Sequence, residues 1–377
     1  MAAALVLFLR APRSRKETRN MAGQQKLQSI QILRGIAASL IVVYHAIFYW
    51  FSYHQNYEYQ DSGFFLAIGV DIFFVISGFI MMYVTEGAER SARPALEFLW
   101  DRISRIVPVY WIYTFFVILI AIVSDGLLRS TRVDVDSALM SLLFIPFQRD
   151  NGLFHPILIV GWTLNYEMFF YAIFAIGLAY FRKYKDIFTI FVILVITILS
   201  NITINDFNLA SFYGNSIVIN FLFGIVLFKI YNNTLPPKRI FLQATLVISV
   251  FWILLSAFGD YPKPELRFVV WGIPSLALVY FSLYQYIRDG QIAAIATRIG
   301  DASYSLYLSH PFVVAGCAVL FKKAGIDSFW LFLPTSFLLS LAWGHLSFQW
   351  IERPSVAWAR SLPARIRRLA AQWRFDP

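Results

Sequence analysis

Charge is scarce in this chain. Of its 377 residues only 14% are Asp, Glu, Lys or Arg, whereas 59% are hydrophobic and 18% aromatic. Soluble domains carry about 25% charged residues, so a water-soluble globular protein is excluded. Cysteine is scarcer still: a lone Cys317 rules out an intramolecular disulfide and any cysteine-built metal cluster. The five histidines are scattered and do not read as a metal site. There is no phosphate-cradling glycine loop, no HExxH and no Gly-x-Ser-x-Gly elbow, which removes the common signatures of P-loop nucleotide enzymes, zinc proteases and α/β-hydrolases. No internal repeat is visible, which weakens a transporter built from two related halves.

Long apolar runs are what the chain does have. About 20 apolar residues cross a bilayer as a helix, and ten runs approach or exceed that length: 29–51, 64–85, 105–124, 157–181, 187–204, 216–231, 240–258, 268–286, 303–321 and 329–350. The fold expected is all-α, a polytopic helical bundle in a membrane. The segment 138–147 (ALMSLLFIPF) is apolar but too short to cross, and is expected to lie at the interface or re-enter from the outer side.

The net charge of +10 is concentrated in short links between the runs, a pattern that points to membrane lipids as the partner and not to nucleic acid. With the N-terminus inside, the inner segments hold 24 of the 32 lysines and arginines and the outer loops seven. Both termini are therefore expected in the cytoplasm. Three regions result: an N-terminal tail at 1–28, expected to be disordered, a membrane domain at 29–350, and a basic C-terminal tail at 351–377 that rests on anionic headgroups. The opening MAAALVLFLR has no basic region before it and an arginine-rich one after it, so it is not read as a signal peptide. Residues 1–20 are either a disordered cytoplasmic tail or the product of a seldom-used start upstream of Met21.

The run QILRGIAASLIVVYHA (31–46) organises the rest. Arg34 and His45 are eleven residues apart, about 20° short of three full helical turns, so they share one face about 16 Å apart along the axis. Two readings are open. Arg34 can snorkel to the inner interface while His45 bonds a neighbouring helix, or both can serve a reaction. An arginine inside a span costs ~2.5–3.5 kcal/mol on insertion scales, and a histidine in the outer third of the bilayer core is a natural general base. Asp71, in GVDIFFVISGF, lies near the depth of His45, where a carboxylate would orient an imidazole; it can equally bond a neighbouring helix without chemistry.

Arg102 and Arg105 share a face at the inner edge of the third span. They are either a positive-inside anchor or a pair suited to phosphate groups. Glu167, in GWTLNYEMFFY, sits near the midplane, where an unpaired carboxylate is costly; it is expected to be paired or functional. Trp162 and Tyr166 are either an aromatic belt or substrate contacts. Tyr307 and His310, in SYSLYLSHPF, share a face beside Pro311, which frees the Tyr307 carbonyl. They either mark a helix bend with a satisfied histidine or contact a ligand.

In order and spacing these motifs resemble the acyltransferase 3 family of integral membrane enzymes, most closely its exopolysaccharide-production acetyltransferases. The likeness runs from about Ile30 to Pro354 through IQILRGIAASLIVVYHA, GVDIFFVISGFIM, the arginine pair before IVPVYW, VGWTLNYEMFFY, SYSLYLSHP and ERP. It implies a bacterial inner-membrane enzyme that moves an acyl group, acetyl by preference, from cytoplasmic acyl-coenzyme A to a hydroxyl of a polysaccharide or lipid-linked oligosaccharide. The family's functional arginine and histidine map onto Arg34 and His45. The roles expected are donor binding by Arg34, Arg102 and Arg105, catalysis by His45 with Asp71 or Glu167 orienting it, and substrate contacts from Trp162, Tyr166, Tyr307 and His310. No metal is expected, and no residue pattern specifies an oligomeric state. The competing expectations are a proton-coupled transporter or flippase of lipid-linked sugars, with His45, Asp71 and Glu167 as a relay, and a non-catalytic membrane scaffold.

Overall fold

The computed structural model describes residues 24–53, 63–86, 94–123, 133–150, 152–202, 212–259, 262–288 and 290–372. Among them the architecture is all-α. Lipid offers the backbone no hydrogen-bond partners, so apolar runs of this length close their own bonds as helices. Eight helices are long and apolar enough to cross a membrane, with Phe268–Leu283 as a shorter ninth apolar helix. The chain is thus a polytopic membrane protein. Two of the ten expected spans are absent from the eight: 268–286, whose helix is short, and 187–204, whose helix Lys185–Ile202 reaches the edge of the described residues. Residues 1–23, which carry most of the expected tail, and His54 lie outside the described residues. The first helix is already formed at Gln24, so the boundary drawn at 28/29 falls inside it.

Two compact units make up the chain, Met1–Glu86 with Asp186–His345, and Gly87–Lys185 with Leu346–Pro377. The first unit contains α1 (Gln24–Tyr53), α2 (Ile68–Val84), and most of α3 (Lys185–Ile202). It continues with α4 (Ile219–Asn233), α5 (Arg239–Ser256) and α6 (Phe268–Leu283), whose first five residues form a π-helical turn. It is completed by α7 (Gln291–Asp301), α8 (Ser303–Lys323) and nearly all of α9 (Phe329–Ser347). One close crossing joins α2 to α4 through glycine. A Cβ on Gly78 would stand 2.0 Å from the Phe221 carbonyl oxygen, and one on Gly224 2.2 Å from that of Val75. Only the missing side chains let these backbones touch, the small-residue packing that holds helices together in lipid. On α1 the ladder Ala38, Val42, Ala46 and Trp50 packs with Leu306, Val314 and Cys317 of α8 and Phe332 of α9.

The second unit contains α10 (Pro94–Val123), α11 (Val135–Leu142), α12 (Trp162–Tyr180) and α13 (Arg353–Gln372). Phe98 of α10 packs against Phe174 of α12 at 5.3 Å between ring centres. The short α11 covers the first half of the 138–147 segment read from the sequence as too short to cross. It opens on a capping box between Asp134 and Ser137 and is held to α10 by Tyr110 Oη donating to the Ser141 carbonyl (3.1 Å) and Trp111 Nε1 to that of Leu142 (2.9 Å). Phe115, Phe116, Leu119, Ile122 and Val123 on α10 are exposed, as a lipid-facing surface requires. The region expected as a C-terminal tail is helical through Gln372.

Candidate functional site

The ladder of α1 that packs into the core places His45 beside α8. Its Nδ1 lies 3.0 Å from the carbonyl oxygen of Ile41, one turn back, and 3.1 Å from Nε2 of His310. The ring centres are 4.8 Å apart. A carbonyl can only accept, so Nδ1 of His45 carries the hydrogen and Nε2 is left as a bare acceptor. Among the described residues no hydrogen bond reaches that nitrogen. His310 is fully buried, whereas His45 is half-buried. Tyr307 packs beside His310 at 6.1 Å and against Phe73 at 6.2 Å. Arg34 is half-buried on the same helix as His45. A cavity of about 230 Å³ in this unit is lined by Arg298, Leu306, Leu341 and His345 among others; neither His45 nor His310 lines it.

Asp71 makes its hydrogen bonds with groups other than the His45 ring, to which it was expected to turn. It is fully buried, and its carboxylate is gripped by Arg267, with Nε to Oδ1 at 3.2 Å and Nη2 to Oδ2 at 2.8 Å. Asn220 Nδ2 donates to Oδ1 at 2.7 Å, and the guanidinium lies over the Trp271 ring at 4.7 Å. A buried carboxylate needs donors, and Asn220 of α4 and Arg267, the residue that leads into α6, supply them. Arg267 and Asn220 are the residues missed by sequence reasoning. Arg267 reads there as one more outer-loop cation, yet the demand of a buried aspartate for a cation at similar depth was a usable signal.

In the second unit, Glu167 accepts a short hydrogen bond from the Tyr171 hydroxyl one turn along α12. Tyr171, Arg105, Asp101 and Glu167 all act electrostatically on Arg102, whose guanidinium also lies 5.8 Å from the Phe98 ring. Glu167 is thus paired, one of the two outcomes expected from its depth. Trp162 and Tyr166 stack edge to face at 5.9 Å, and Tyr166 is buried.

A half-buried imidazole held at one nitrogen and open at the other, among apolar helices, suits an enzyme embedded in the membrane. The family comparison names that class: residues 27–346 match the acyltransferase domain model, and the chain belongs to the acyltransferase 3 family. It is 31% identical over 295 residues to the exopolysaccharide production protein ExoZ of Rhizobium meliloti (strain 1021), an alignment covering 76% of this chain and 89% of that protein. No solved structure matches.

Proposed function

We propose that the protein is a bacterial inner-membrane O-acyltransferase that moves an acetyl group from cytoplasmic acetyl-coenzyme A to a hydroxyl of an exopolysaccharide or its lipid-linked precursor. The observation that carries this reading is the open Nε2 of His45, on a ring held at its other nitrogen, in a chain of this family. In the reaction the sugar hydroxyl gives its proton to that nitrogen as its oxygen attacks the thioester carbonyl. The new C–O bond forms, the C–S bond breaks, and the proton passes on to the departing thiolate. Arg34, Arg102 and Arg105 are assigned to the phosphates and carbonyls of the donor, because guanidinium groups bind phosphate oxygens in pairs. Trp162, Tyr166 and Tyr307 are assigned to the sugar, whose apolar faces stack on aromatic rings.

The relay required of a proton-coupled transporter is weakened by the Asp71–Arg267 pair, since a carboxylate saturated by a guanidinium is a poor proton carrier. Two measurements test the proposal. Mass analysis of surface glycan from cells with and without the gene is expected to show loss of an acetyl group. Purified protein is expected to bind coenzyme A, whereas a flippase would not.

A further inference from the structure

We infer that His310 is a positioning residue for acyl transfer: its bare Nε2 accepts the Nδ1–H of His45 and holds that ring in the one tautomer that leaves a base facing outward. The inference rests on the reading of His45 as general base. It departs from the expectation that His310 touches the sugar, because both ring nitrogens of His310 are already engaged.

The assignment follows from three contacts. Nδ1 of His45 faces the Ile41 carbonyl at 3.0 Å, Nδ1 of His310 faces the Leu306 carbonyl at 3.1 Å, and Nε2 of His310 faces Nδ1 of His45 at 3.1 Å. Carbonyl oxygens accept only, so each Nδ1 carries a hydrogen and each neutral ring has a lone pair on Nε2. The lone pair of His310 then points at the Nδ1–H of His45, and every contact joins a donor to an acceptor. In the other tautomer of His45, its Nδ1 lone pair would confront both the Ile41 oxygen and the His310 lone pair. Two such repulsions inside a protein are expensive, so the pair selects the tautomer.

The same contact strengthens during the reaction. When Nε2 of His45 takes the hydroxyl proton, its Nδ1–H becomes the donor of a charged imidazolium, and hydrogen bonds from charged donors are roughly twice as strong as neutral ones. An interaction that grows as charge develops lowers the barrier and not merely the ground state. His310 itself stays neutral, because a second positive charge beside the imidazolium is disfavoured in a buried site. A neutral acceptor also holds the imidazolium less tightly than a carboxylate would, which suits a base that must hand its proton to a thiolate.

The test uses full-length protein labelled with 15N-histidine in lipid nanodiscs, with His45→Asn assigning the resonances. A through-hydrogen-bond 15N–15N coupling is expected between the protonated Nδ1 of His45 and the bare Nε2 of His310, and is lost in His310→Leu. In thiol release from acetyl-coenzyme A with surface polysaccharide of the producing cell as acceptor, His310→Leu is expected to lower kcat about 10²-fold with KM changed by less than about twofold. His310→Gln recovers most of kcat, because its amide oxygen accepts from the same hydrogen. Transfer without the coupling, or a glutamine variant no better than leucine, overturns the positioning role while the acyltransferase reading stands. The coupling without any thiol release overturns the acyltransferase reading and the positioning role with it. Should His310→Leu fail to fold, the wild-type coupling and the glutamine variant still decide.

Discussion

Two polar groups set among the apolar helices of the first unit invite comparison. Around Asp71 both carboxylate oxygens are met by donors, from Arg267 and from Asn220. Around His45 one nitrogen is held and the other is open. Both groups are costly to place among apolar helices, yet they are used in opposite ways. The ion pair ties α2 to α4 and to the residue that leads into α6, and both carboxylate oxygens are engaged in it. A half-satisfied imidazole keeps the capacity that saturation removes. Depth and charge alone do not separate a structural group from a reactive one; the count of unmet bonding positions does.

That contrast can be broken at either end. The largest effect is expected at His45: His45→Ala is predicted to fold normally and lower acyl transfer about 10²–10⁴-fold, read as acetyl incorporated into glycan by membranes of known enzyme content. Near-full transfer by the folded variant would defeat the role of this ring. Asp71→Leu is predicted to act on stability instead, leaving a guanidinium buried without its partner at about 3–5 kcal/mol. Thermal unfolding in detergent reads this, and the double variant Asp71→Leu with Arg267→Met should regain most of the loss, since an apolar pair fills the space without an orphan charge. If the single variant were stable but inactive, Asp71 would belong with His45 after all. In the second unit, Arg102→Ala is expected to weaken coenzyme A binding by about 1.5–3 kcal/mol, the range for a hydrogen bond to a charged group, measured by titration calorimetry.

The smallest effect is expected at the cap of α11. The Ser137 backbone N–H, the first of several contributions, holds the Asp134 carboxyl below the usual carboxylate range. A carboxyl lowered by folding contributes stability that is whole above about pH 4, its ordinary value, and is lost as pH falls through the lowered one. Asp134→Ala is predicted to destabilise α11 by about 1 kcal/mol, and Asp134→Asn to keep the cap while removing its pH dependence. Hydrogen exchange over residues 133–142 distinguishes the three forms.

Much of this was legible beforehand. Apolar runs placed six of the ten spans to within a few residues, and two more at one end only, their helices running ten or more residues further at the other, because lipid leaves a long apolar segment little choice but helix. The eleven-residue interval from Arg34 to His45 drew attention to the imidazole, and the SYSLYLSHPF motif drew attention to His310. Pairing was not legible. The same reading set Asp71 against His45 because their depths agreed, whereas α6 brings Arg267 to the carboxylate and α8 brings His310 to the ring. That Gly78 and Gly224 are partners in bringing two backbones together emerges only when α2 meets α4.

Composition and periodicity thus determined by themselves that the chain is a membrane bundle, where its helices run and which ionisable residues lie within them. Those properties depend on each segment's own contact with lipid. Which ionisable residue meets which was decided by tertiary structure alone. Depth along a helix is set by counting residues, but azimuth and neighbour are set by packing, here by glycine contacts and by a ladder of small side chains on α1. That packing left His45 one open nitrogen and engaged both carboxylate oxygens of Asp71.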